Sequence, residues 1–243
     1  MAEPRLPGRL RALTPARLQL GRAGCGLPTS ELLAFQLDHA RARDAVQMPF
    51  VPAGLAKAIC REVIEVRSQA SDRAEYLRRP DLGRQLAAED AVRLQPHEAD
   101  LAIVIVDGLS AHAVHAHAAS LVLELTDRLD NWKLAPIVTV RQGRVAIGDA
   151  IGERLGADLV CVLIGERPGL SAADSLGAYL TWNPVVGRRD SERNCISNIR
   201  PPHGLSYAAA ADAIARLLRA ARHRRLTGIS LKDGIGVLPS HEP

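Results

Sequence analysis

Three observations predict an α/β fold. Two wholly apolar runs, Leu101 to Val106 and Leu159 to Ile164, carry no polar alternation; amphipathic segments of helical spacing lie between the short runs; and Gly- and Pro-containing polar turns stand where the runs stop. A run without polar alternation is buried on both sides, the condition of a parallel strand covered by crossover helices. The expectation is a Rossmann-like, mostly parallel sheet with helices on both faces, preceded by a smaller helical N-terminal region.

The first element is a helix opening at Leu27-Pro28-Thr29-Ser30-Glu31, where a hydroxyl cap precedes an acid in the first turn, and Leu32, Leu33, Gln36, Leu37 and Ala40 then share a face. On its surface Asp38 has Arg41 or Arg43 as ion-pair partners. Val63 to Ser68 and the polar segment Asp72 to Arg84 read as irregular connection, and a second helix is expected over Gly83 to Leu94. The expected boundary is Gln95-Pro96-His97-Glu98, which divides an N-terminal mainly helical region, 1–95, from the sheet domain, 96–243.

Beyond that boundary Leu101 to Val106 is a buried strand, and Val114, Ala118, Leu121, Val122 and Leu125 mark the helix after Ser110. Pro136 to Val140 is the next strand, Ile147, Ile151 and Leu155 mark a short helix, and Leu159 to Ile164 is the third strand. Ala178 to Trp182 and Asn194 to Ile199 are shorter strands. Ala208 to Arg222 closes the chain as a helix with Ala211, Ile214, Leu217, Leu218 and Ala221 inward. In such a sheet Asp107-Gly108-Leu109-Ser110, Arg141 to Val145 and Gly165 to Leu170 all fall at carboxyl ends of strands, along one rim. Open α/β sheets bind ligands there, so the rim is the candidate site.

Composition narrows the chemistry. No stretch approaches the roughly 18 to 20 consecutive apolar residues that cross a bilayer, and the opening Met1 to Pro7 has no apolar signal core, so the expected location is cytoplasmic and no membrane partner is expected. The formal charge of +4 is modest and its basic residues are interleaved with acids, which argues against nucleic acid. Cys25, Cys60, Cys161 and Cys195 have no C-x-x-C spacing, so neither a disulfide framework nor a zinc site is indicated. Neither Gly21 to Gly26 nor Gly165 to Gly169 has the G-x-G-x-x-G spacing of a dinucleotide site, and none of the three lysines, Lys57, Lys133 and Lys232, follows a Walker glycine run.

His112, His115 and His117 sit on one expected helix, but no carboxylate at matching spacing completes a metal site, so they read as exposed surface histidines. Cys195 needs a base or a positive environment to act as a nucleophile; with His203 eight residues away, a crevice wall is the expected role. For Glu166 and Arg167 the residues alone leave three readings equal: an acid or base pair, a surface ion pair, or polar contacts to a ligand's amides.

The motifs converge. The set includes Gly21-Arg22-Ala23-Gly24, Asp38 to Asp44, Glu65-Val66-Arg67-Ser68, Tyr76 to Arg84, Asp107-Gly108-Leu109-Ser110, Gly143-Arg144-Val145, Ile151-Gly152-Glu153, Gly165 to Leu170 and Cys195-Ile196-Ser197-Asn198-Ile199. Collinear from Thr14 to Lys232, it resembles the small (light) subunit of ethanolamine ammonia-lyase, the adenosylcobalamin-dependent enzyme that converts ethanolamine to acetaldehyde and ammonia. The resemblance implies a hetero-oligomer in which a TIM-barrel large subunit binds substrate and houses radical chemistry, while the small subunit covers the cobalamin with its Rossmann-like domain. That chemistry begins with cobalt–carbon homolysis, and the deoxyadenosyl radical takes hydrogen from the substrate.

Three positions that contact cobalamin in the family match Val145, Glu166 and Cys195. No catalytic residue and no metal ligand are assigned to this chain. The D-x-H-x-x-G motif that replaces the cofactor's own base is absent from the sequence, so base-on cobalamin is expected. Relatives with a longer N-terminal extension are associated with a bacterial microcompartment, whereas here the first motif is reached by about Arg22, which favours the cytoplasm over the compartment. The competing classes are a stand-alone Rossmann-like protein for another amide- or phosphate-bearing small molecule, and a nucleic-acid-binding module.

Overall fold

The computed structural model describes residues 16–18 and 20–231. Its centre is a six-stranded sheet in the order β1-β3-β2-β4-β5-β6. The strands are β1 Val63–Arg67, β2 Leu101–Val106, β3 Ile137–Arg141, β4 Leu159–Gly165, β5 Leu176–Trp182 and β6 Asn194–Ile199. The first four in spatial order are mutually parallel, and β5 and β6 are added antiparallel at the β4 edge. The α/β, Rossmann-like, largely parallel arrangement expected from the apolar runs is present.

Both runs are buried on two faces because successive side chains enter opposite cores. Ile103, Ile105, Leu159, Cys161 and Leu163 meet helix α5 (Ala111–Thr126) and helix α7 (Tyr207–Arg224) through Val114, Leu121, Ile214 and Leu218. Ala102, Val104, Val106, Val160 and Val162 meet helix α6 (Ile147–Leu155) through Ile147, Ile151 and Leu155. Leu121, Leu125, Ile151 and Leu155 are fully buried, each worth about 1.5–3 kcal/mol relative to exposure. Ser110 and Ser206 cap α5 and α7 by accepting the amides of Ala113 and Ala209 at 3.2 Å.

The part before Gln95 departs from expectation. Val63–Arg67 is not irregular connection but the edge strand β1, in register with β3 from Val63↔Ile137 to Arg67↔Arg141. Its charged residues mask it: Glu65 sits on the exposed side, 3.5 Å from Arg141 of the neighbouring strand. The sheet therefore draws on residues from both sides of Gln95–Glu98. Within Asp72–Arg84 lies helix α3 (Arg73–Arg78), capped by Asp72, which accepts the Glu75 amide at 2.8 Å.

The helix expected over Gly83–Leu94 is reduced to a 3-10 turn, Leu82–Arg84, and the single turn α4, Ala88–Ala91. Gln85 to Ala87 is pulled into extended backbone pairing, with Gln69 N–H donating to Gln85 and Ala87 N–H to Arg67. Tertiary hydrogen bonds there override helix propensity.

Helix α1 (Thr29–Gln47) forms, but Pro28 rather than a hydroxyl residue stands at its N-cap and makes no side-chain cap. Its expected inward face is not inward: Leu32, Leu33 and Leu37 are exposed, and Ala45 is its one buried residue. Asp38 pairs with Arg17 at 2.6 Å and, more loosely, with Arg41 at 3.9 Å. The short helix α2 (Ala53–Ile59) packs Leu55 and Ile59 into the α5 side of the core. Among the described residues no helix is long and apolar enough to cross a membrane.

Candidate functional site

Three loops leave the carboxyl ends of β2, β3 and β4 and meet over the sheet. Strands β2 and β4 end against one another through a pair of glycines. A Cβ on Gly108, whose φ is +56°, would lie 2.3 Å from the Gly165 carbonyl oxygen, and one on Gly165 would lie 2.0 Å from that of Ser110. No other residue fits this approach.

Asp107, 4% exposed, ties the second loop to the first. Its Oδ2 accepts the Gln142 amide at 2.9 Å and its Oδ1 the Gly143 amide at 3.1 Å, and the Arg73 guanidinium lies 3.7 Å away. Gln142 is held at a φ of +60°, a conformation that costs a non-glycine residue about 1–2 kcal/mol. Burial pushes the Asp107 carboxyl up to about 6, against the pull of those amides and of Arg73. The carboxylate is used to shape the loop that presents Arg144 and Val145.

The loops enclose an open crevice of about 680 Å³ whose lining includes Leu109, Val145, Ala146, Ile164, Glu166 and Tyr179. Val145 is half-buried and packs against the α6 core, giving a small apolar wall. Glu166 is half-buried on the third loop. Its Oε1 accepts the Ser197 hydroxyl at 2.5 Å, while its Oε2 accepts the Ser175 hydroxyl and, at 3.3 Å, the Asn198 amide. A carboxylate offers about four acceptor positions, so these three bonds fix its direction and leave room for one more donor. This geometry removes the surface ion-pair reading for Glu166, since its neighbours are hydroxyls and an amide.

Cys195 does not itself line the crevice. It lies on β6 directly opposite Tyr179 of β5, and Tyr179 lines it. Desolvation raises the thiol's pKa above its ordinary value, opposed by a hydrogen bond with the Tyr179 hydroxyl and reinforced by the Glu166 charge. A nucleophile needs the opposite shift, and of the expected crevice wall it is Tyr179, not Cys195, that faces the crevice. The structure thus places Val145 and Glu166 in one crevice and Cys195 on the adjoining strand.

Other site residues escaped the sequence reading. Tyr76 is completely buried; its hydroxyl donates to the Gly143 carbonyl at 2.9 Å, and its ring lies between the guanidinium groups of Arg73 and Arg144, at 4.8 and 4.2 Å from the centroid. Arg84 and Arg144 also line the crevice. All three belong to segments quoted for the family resemblance, yet the polar stretch around Tyr76 gave no periodic signal.

The three histidines separate. His112 is exposed, and His115, also exposed, accepts the Val51 amide at 3.1 Å and stacks on Phe50. His117 is not a surface residue: it is 5% exposed, its Nδ1 2.9 Å from the Tyr207 hydroxyl and its Nε2 3.6 Å from Asp174. The partner Tyr207 comes from α7, so α5 has two covered faces and the third histidine falls on the second of them.

Behind the crevice a buried ion pair links α6 to the start of β6. Arg193 grips Asp149 with two bonds of 2.6 and 2.7 Å and also donates to Thr181 at 2.8 Å and to the Arg188 carbonyl at 3.0 Å.

Comparison with known proteins gives the chain's family. Residues 7–232 match the family described as ethanolamine ammonia-lyase light chain. A protein of Azotobacter vinelandii named ethanolamine ammonia-lyase small subunit is 56% identical over 236 residues, covering 93% of this chain and 87% of that protein. Proteins of the same name from Ralstonia nicotianae and Bradyrhizobium diazoefficiens are 53% and 55% identical, with 94% and 96% of this chain covered and 88% and 94% of theirs. On that evidence the chain belongs to the ethanolamine ammonia-lyase light chain family.

Proposed function

We propose that the chain is the small subunit of an adenosylcobalamin-dependent ethanolamine ammonia-lyase, and that its crevice covers part of the cobalamin where it meets a TIM-barrel large subunit. The observation that carries this reading is the convergence of Val145 and Glu166 on one strand-end crevice, with Cys195 on the strand beside it.

The residues present fit a corrinoid. Leu109, Val145, Ala146 and Ile164 offer an apolar wall to the corrin face, and Glu166 keeps an acceptor position for a peripheral amide. The buried Arg144 Nε–H has no partner among the described residues, and an unmet donor of this kind points to a ligand. No ligand to cobalt is assigned to this chain, and base-on cobalamin is part of the proposal.

When bound, cobalamin would supply a hydrogen-abstracting radical by homolysis of its cobalt–carbon bond. The chain's own residues hold and orient. Val145 and Ile164 exclude water from one side of the crevice, Glu166 fixes an amide, and Tyr179, backed by its strand partner Cys195, forms the lateral wall. Groups that act on ethanolamine are assigned to the large subunit.

The deciding experiment is ammonia release from ethanolamine by the chain co-expressed with its large subunit, with and without adenosylcobalamin, beside each subunit alone. Activity that requires both chains and the cofactor is expected. A well-folded, copurifying pair without activity would mean another substrate, and failure to copurify would favour a stand-alone binding protein.

A further inference from the structure

We infer that Arg144, with Arg84 and Arg167 of the same crevice lining, forms an anion subsite that takes the phosphodiester of the cobalamin nucleotide tail. The inference rests on the proposed cobalamin reading and extends it from the corrin face to the tail.

All three arginines line the same crevice, and none has an acidic partner within ion-pair distance among the described residues. Two acids line the crevice with them, fewer than the arginines. Glu166 accepts from Ser175, Ser197 and the Asn198 amide, and Asp190 lies 3.6 Å from Arg193. The crevice therefore presents excess positive charge above an apolar floor.

Arg144 is the best placed. Its guanidinium carbon lies over the Tyr76 ring, 4.2 Å from the centroid, and its loop is tied down by the Arg144 amide donating to the Gly83 carbonyl at 2.7 Å. Of its five N–H donors, one makes a long contact of 3.5 Å to the Tyr76 carbonyl and the buried Nε–H has none. A guanidinium held by stacking, with its donors unspent, is built for a planar or tetrahedral oxyanion.

Cobalamin narrows the choice of anion. Its peripheral groups are neutral amides and its cobalt-corrin centre is cationic, so its phosphodiester is the one negatively charged group that three arginines would attract. The division of labour follows: Glu166 serves the amides and the arginines serve the tail.

The test compares two corrinoids, hydroxocobalamin and cobinamide, which shares the corrin but lacks the phosphodiester tail. Binding of each to the assembled two-subunit complex is measured by equilibrium dialysis with corrin absorbance, at low and high salt. Arg144→Gln is expected to lower cobalamin affinity about 10- to 100-fold while cobinamide affinity stays within about twofold, and the cobalamin effect should shrink as salt rises. The double variant Arg84→Ala/Arg167→Ala, at two exposed positions, should show the same selective loss and covers the case in which Arg144→Gln fails to assemble.

Equal loss for both corrinoids, or loss for neither, would overturn the subsite. Val145→Arg separates that outcome from failure of the underlying reading. If it abolishes binding of both corrinoids while the arginine variants treat them alike, the crevice holds the corrin but the tail lies elsewhere. If Val145→Arg leaves both unchanged, the crevice is not the corrinoid site.

Discussion

At Asp107 burial opposes two amide hydrogen bonds and a guanidinium, and burial prevails, raising the carboxyl to about 6. The sign of its effect on stability follows from linkage. Between the ordinary carboxylate value and about 6 the folded chain binds more protons than the unfolded one, so this contribution is full at lower pH and is lost as pH rises through 6. Relative to Asp107→Asn, which cannot titrate, the chain should lose on the order of 1–3 kcal/mol of stability from pH 4 to 6.5, read from urea midpoints. Parallel curves for the two proteins would place the titration elsewhere. At Glu166, replacement by Ala should weaken cobalamin binding by about 1–3 kcal/mol, whereas Gln, which keeps one acceptor oxygen, should fall between. Unchanged affinity would remove Glu166 from the site. The rim that holds Val145 and Glu166 was legible because strand ends can be found from apolar runs. Tyr76 and His117 were not, because their burial depends on Gly143 and Tyr207, residues 67 and 90 positions distant.

Elements transmit these positions. The crossing of Gly108 and Gly165 sets the distance between the β2 and β4 loops, so Gly165→Ala, with its Cβ driven to 2.0 Å from the Ser110 oxygen, should destabilise the chain by about 3 kcal/mol or more. A melting temperature within experimental error of the parent would show that the loops can separate. The Asp149–Arg193 pair, 1% and 2% exposed, joins α6 to β6. Arg193→Ala would leave a buried carboxylate alone, at a cost of about 3–5 kcal/mol, while the double change Asp149→Leu/Arg193→Met should recover most of the loss; thermal unfolding of the three variants decides it. The strands and helices after Gln95 were readable because each carries one clear apolar period. Strand β1 and helix α3 were not, since an edge strand with charged residues and a six-residue helix capped by Asp72 show little periodicity of their own.

Over the whole molecule, the two cores lie on opposite faces of the sheet and the site lies at its rim, so binding chemistry and folding energy are kept apart. Helix α1 contributes little to either core and displays Leu32, Leu33, Phe35 and Leu37 to solvent. A surface of that kind limits solubility, and the chain expressed alone should self-associate more than a Leu33→Ser/Leu37→Ser variant, as read by light scattering at equal concentration. Equal scattering would show that α1 is not responsible. The family was legible from motifs spread along the chain; the exposed face of α1 was not, because a helical period announces an apolar face without saying what covers it.

The antiparallel β5–β6 pair has an evolutionary consequence. Cys195 stands beside the crevice because it is paired with Tyr179, which lines it, and a one-residue slip would turn the thiol to the other side of the sheet. The intervening residues 183–193 carry no part of that alignment; the register is set by strand pairing and by the irregularity between Leu176 and Ala178. Insertions and deletions ahead of the Arg188–Arg193 anchor can therefore be absorbed while the thiol keeps its address, so positions here should be aligned from the strand partner backwards and not by counting forward from Glu166.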